Sequence, residues 1–204
     1  MEGQDLVDLL RSDHETALAA LGSSTALYAV TGGTVDAEHV HAAVSAELAA
    51  AERGFESWGR DESNDRVASL FETTAATVAD NRDAIGRPDD ESEVLDHEFG
   101  VPSFDGTADR LGGLLGWTLV ATAIVEQAAD FFAGHADPDT ADTYRDVRDD
   151  LEHLRDRTAT AIELDCESDG DWSAAEAAAN DVIEAAFGTY RETLASLDVD
   201  PDRT

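Results

Sequence analysis

Two groups of side chains in this 204-residue chain have the types and spacing that could do chemistry. In Asp150-Leu151-Glu152-His153 a carboxylate and an imidazole stand three residues apart, so on a helix both could reach one metal ion. Glu126 ends a 15-residue charge-free run, Leu111–Val125. Counted back from a turn at Asp137, Glu126 and Asp150 lie about 16–20 Å deep on two antiparallel helices, at matching levels. A solvated face competes for these residues, because on a helical wheel Asp150 lies about 70° and His153 about 130° from the centre of the apolar stripe. Glu38-His39-Val40-His41 repeats the Glu-x-x-His spacing in the first turn of a helix. If that helix and the one carrying His153 run parallel, the two histidines stand about 15 Å apart along the axis and cannot share a centre. Capping and a surface histidine are the expected roles there.

Other catalytic patterns are missing: the chain has no G-x-S-x-G, P-loop, G-x-G-x-x-G or C-x-x-C motif. Cys166 is the single cysteine, which excludes an internal disulfide. Flanked by Asp165 and Glu167 with no basic neighbour, it is not expected to be a nucleophile. His14 reads as a polar residue beside a core stripe, and His97 falls in a long connection.

Composition narrows the partners. Acidic residues number 46 against 13 basic ones, for a net charge of -33, and every basic residue is arginine. Nucleic-acid binding through phosphate contacts and docking on an anionic membrane are both disfavoured by that sign. Hydrophobic content of 42% argues against disorder. Such a chain repels itself at low salt, but near 1 M the screening length falls to about 3 Å. In composition it resembles proteins of halophiles that keep molar salt in the cytoplasm, a resemblance that names a habitat rather than a function. The N-terminus MEGQDLVDLL has neither a basic nor an apolar signal-peptide region, so a cytoplasmic protein is expected. Leu111–Val125 is shorter than the about 20 residues a membrane span needs, and reads as a core helix.

Periodicity predicts an all-α chain forming a single helical domain over 1–200. A first helix covers 5–30, with Leu6, Leu9, Leu10, Ala17, Leu21 and Tyr28 on its stripe, and Gly32-Gly33 ends it. A first hairpin covers 36–85, and a polar connection covers 86–106. A second hairpin covers 107–164, a last helix 171–197, and a frayed tail 198–204. About 20 residues of connection can run the length of a bundle, and two antiparallel hairpins joined by one such crossover is the ferritin-like way to build four helices. One extra helix then stands at each end.

The first hairpin resembles that of rubrerythrins, the di-iron members of the ferritin-like superfamily. Their pattern is a Glu, an aromatic residue ten positions on, a short acidic turn, then Ala-x-x-Phe followed by Glu-x-x-His. Phe55-Glu56-Ser57-Trp58, the turn Arg60 to Asp65 and Val67-Ala68-Ser69-Leu70-Phe71 follow it. Asp130-Phe131-Phe132, the turn His135 to Asp139 and Ala141 to Tyr144 echo it in the second hairpin. A di-iron carboxylate site needs a Glu from each of two helices and a Glu-x-x-His from each of the other two. Carried over, the first glutamate falls on Ser45 and the Glu-x-x-His on Val78 and Asn81, so half of the ligand set is absent.

Two readings follow. In the first, the bundle has lost its di-iron chemistry and acts as a binding, scaffolding or regulatory module, a homodimer with an unidentified protein partner and no cofactor. In the second it is a divergent rubrerythrin-like peroxide or oxygen reductase holding iron or manganese on Glu47, Glu126, Asp150 and His153; ferritin-like topology brings Glu47 to the level of the other three. A third possibility, a ligand-binding bundle, predicts a sizeable closed pocket beside Trp117.

Overall fold

The computed structural model describes residues 2–86 and 102–199, and helices dominate from the start. The first segment is not one helix but three: α1 (Gly3–Asp13), α2 (Glu15–Leu21) and α3 (Ser24–Val30). His14 sits at the α1–α2 corner, with its Nε2 2.7 Å from Asn180 Oδ1. Ser23 has extended backbone, and its side chain accepts from the amide of Ala26 as the cap of α3. These breaks let the segment bend over the molecule instead of running past it. Within α1, Leu6, Val7 and Leu10 are buried, but Leu9 faces outward at 36% exposure, although its spacing assigns it to the buried stripe. Thr31, Gly32 and Gly33 close α3 as expected, Gly32 and Gly33 both at positive φ.

The hairpins follow the predicted bounds closely. Asp36 caps α4 (Ala37–Asp61) and Asn64 caps α5 (Asp65–Ile85). Then come α6 (Thr107–Gly134), α7 (Pro138–Asp165) and α8 (Asp169–Ser196). Asp137 caps α7 with proline in its first turn, and Ser168 with Asp171 forms a capping box on α8. Of the predicted connection, 87–101 lies outside the described residues, as does His97. Of the tail expected to fray, 198–204, Val199 packs on the core, and 200–204 lies outside the described residues.

The centre is α6. Every residue from Arg110 to Val120 is buried, and α7 and α8 pack along it. By composition α6 is apolar enough to cross a membrane, yet 72% of its most apolar stretch is buried inside the protein. The seam with α8 is unusually close, because Gly112 and Gly116 face the backbone of Ala175 and Ala179. At α1, Gly3 lies against the Ala159 carbonyl in the same way. One hydrophobic core runs through all eight described helices, so the terminal helices cover the hairpins. Edge-on contacts of Phe55 with Trp58 and Trp117, and of Trp58 with Phe71, knit the two hairpins near one end.

Contacts at the two ends give the helix directions. Glu62, just past α4, meets Thr107 and Arg110 at the start of α6, and Asn64 meets Asp165 at the end of α7. At the far end His41 of α4 meets Tyr144 near the start of α7 and Phe132 near the end of α6. Helices α4 and α7 are therefore parallel, and α5 and α6 run the other way. The chain leaves α5 toward one end and enters α6 at the other.

Candidate functional site

The four residues drawn together from the sequence are not brought together. Glu47 is half-buried on α4 and lines a cavity with Val44, Leu48, Trp117, Val120 and Ile124. Glu126 is exposed and lines an open groove of about 380 Å³ with Arg11, Glu15, Leu18, Leu119 and Ala123. Nine residues separate Trp117 from Glu126, which places them roughly 180° apart around α6. The two glutamates thus address opposite faces of one helix. Asp150 and His153 are both exposed on α7. Among the described residues, no group of three or more His, Cys, Asp or Glu side chains could hold a metal ion. Because Glu126 ends in an open groove, Glu126→Ala should change stability by less than about 0.5 kcal/mol, checked by urea unfolding. A loss above about 1 kcal/mol would mean that it has a structural partner.

The cavity beside Trp117 measures about 20 Å³, room for about one water molecule. That is far short of the sizeable pocket a ligand-binding bundle would need there.

The positions carried over from the rubrerythrin pattern do point inward. Ser45 is 3% exposed, Val78 0% and Asn81 4%. Val78 offers no ligand atom, and the Asn81 amide Nδ2 is buried without a hydrogen-bond partner. Nearby on the same two helices, Arg82 Nη1 lies 2.9 Å from Glu52 Oε2.

Polar chemistry gathers instead at the bundle ends. At the α4–α5 turn, the Glu62 side chain is 1% exposed. Its Oε1 accepts from the amides of Ser63 and Asn64 at 2.8 and 3.0 Å, and from the Thr107 hydroxyl at 2.9 Å. Its Oε2 accepts from Arg110 Nη1 at 3.2 Å, while Arg110 Nε donates to the Phe104 carbonyl at 2.9 Å. Burial pushes this carboxyl upward, but the Asn64 amide, Thr107, Arg110 and the Ser63 amide together outweigh it and hold it below its ordinary value. Beside it, Asp165 Oδ1 accepts from Asn64 Nδ2 at 2.8 Å and pairs with Arg66 at 2.6 Å. This network ties the first turn to both helices of the second hairpin. In the sequence, Glu62 was one acid in an acidic turn, and only its position next to the Asn64 cap could have marked it.

His41 also departs from its expected surface role. It is partly buried, with its ring 4.8 Å from that of Phe132 and its Nδ1 3.0 Å from the Tyr144 hydroxyl. His39 keeps the expected capping role, bonded through Nδ1 to Asp36 at 2.7 Å.

Cys166 is buried, and burial, with Asp171 and Asp165 adding to it, pushes its thiol up to about 11. At pH 8 the folded thiol should therefore react with a disulfide reagent at least about 10-fold more slowly than in the urea-unfolded chain. Equal rates would contradict this placement.

No protein-family model, curated protein or solved structure matches the chain.

Proposed function

We propose that this chain is a ferritin-like bundle that has lost di-iron chemistry and serves a salt-rich cytoplasm as a binding, scaffolding or regulatory module, working as a homodimer. The topology is supported by parallel α4 and α7, by the opposite direction of α5 and α6, and by a connection that joins opposite ends of the bundle. The observation that carries the loss of chemistry is Val78. A fully buried isopropyl group stands where an inward ligand would be needed, with Ser45 and an unpaired Asn81 amide at the companion positions. The reductase reading draws no support from Glu47 and Glu126 on opposite faces of α6. Protein in molar potassium chloride, supplied with ferrous iron, should consume peroxide no faster than the same iron free in buffer. Turnover above that background, abolished by Asp150→Ala or Glu47→Ala, would refute the proposal. Light scattering should give a mass of twice the 21.7 kDa chain.

A further inference from the structure

His41 lies near the start of α4 and reaches across to the far end of the second hairpin. Its Nδ1 is 3.0 Å from the Tyr144 hydroxyl on α7, and its ring packs 4.8 Å from Phe132 on α6. Phe132 and Tyr144 stack on each other at 5.2 Å, and Tyr144 is 0% exposed. Burial drives the Tyr144 hydroxyl far above its ordinary value, so it keeps its proton and donates it to a neutral imidazole. A protonated imidazole carries N–H on both nitrogens and cannot accept. The hydroxyl proton would then have no partner inside the core.

The surroundings give the imidazolium little compensation. Burial opposes its charge, and among the described residues the carboxylate whose field favours it is Asp137 at the α6–α7 corner. Asp137 is engaged in capping α7 through the Thr140 amide. On the elements packed around, Asp36 is bonded by His39 on α4's own end, His135 is turned to the Phe131 carbonyl on α6, and Arg82 of α5 is paired with Glu52. On α7, Tyr144 is the group in direct contact.

We propose that His41 is a proton-operated catch: neutral, it fastens the start of the first hairpin to the turn of the second, and acid releases it. The sign follows from linkage. A histidine whose folded value lies below the unfolded one stabilises fully above about pH 6.5, and that contribution is lost as pH falls through the folded value.

Histidine ring resonances followed by NMR from pH 8 to 4.5 test this, with amide exchange of α4 measured alongside. His41 should titrate below the ordinary imidazole value of 6.5. After correction for intrinsic chemistry, exchange at residues 40–46 should rise at least 10-fold more between pH 7 and 5 than at residues 55–58. His41→Gln keeps an acceptor that does not titrate and should remove that pH response; Tyr144→Phe, which leaves no hydroxyl to orphan, should weaken it. A His41 midpoint at or above 6.5, or an unchanged response in His41→Gln, would overturn the proposal.

Discussion

Replacing Glu62 by alanine should destabilise the protein by about 3–5 kcal/mol, because it leaves the Arg110 guanidinium, 10% exposed, without its carboxylate. The Thr107 hydroxyl and the amides of Ser63 and Asn64 lose their acceptor in the same step. Glu62→Gln retains an oxygen for those donors and should cost less, about 1–3 kcal/mol. Replacing Glu62 and Arg110 together by methionine should recover much of the loss, since neither charge then remains to be compensated. Urea unfolding at fixed high salt measures all three. The folded carboxyl titrates below its ordinary 4.5, so its stabilisation is complete above that pH and falls away as pH drops through the folded value. Glu62→Gln should therefore flatten the acid limb of the stability curve. A cost below about 1 kcal/mol for Glu62→Ala would show that the latch adds nothing to holding the hairpins together.

Gly112→Ala should cost about 3 kcal/mol despite alanine's better helix propensity. An added Cβ would overlap the Ala175 carbonyl on α8, and backbone cannot swing aside as a flexible side chain can. At Gly116 the same atom would come 2.6 Å from the Ala179 carbonyl oxygen, so Gly116→Ala should act in the same direction. Gly188, inside α8, has nothing within 4 Å of such a carbon, and Gly188→Ala should stabilise by about 0.5–1 kcal/mol. Opposite signs for two identical substitutions, read as thermal midpoints, isolate the close α6–α8 approach from propensity. A neutral Gly112→Ala would mean that the two helices do not cross as tightly as the structure has them.

Much of the architecture was legible because its helices are amphipathic and capped. Asp36 and Asp137 mark helix starts by a short acceptor side chain, and Val67, Leu70, Phe71, Thr74 and Val78 recur on one face that is indeed buried. Helix α6 defeats the same method. Apolar on every side, it has no stripe from which to tell that Glu126 faces a groove and Trp117 the opposite hairpin. The breaks at His14 and Ser23 were also hidden, because neither residue forbids a helix and the bends serve docking onto α6, α7 and α8. Glu62 and His41 illustrate a third difficulty. Among 46 acidic residues one carboxylate has no distinguishing mark, and an i, i+3 histidine at a helix start looks like a cap. Only the return of α6 and α7 to the bundle ends gives each residue its partner, and no local pattern encodes a contact made 45 to 103 positions away.

Where a di-iron protein would line α4 and α5 with acids and imidazoles, Ser45, Val78 and the unpaired Asn81 amide stand instead. Metal stoichiometry tests this most directly: protein purified in molar potassium chloride, saturated anaerobically with ferrous iron or manganese, desalted and analysed by plasma mass spectrometry. Well under one tightly held ion per chain is expected. Two ions per chain, surviving desalting and placed by anomalous scattering among α4, α5, α6 and α7, would contradict it.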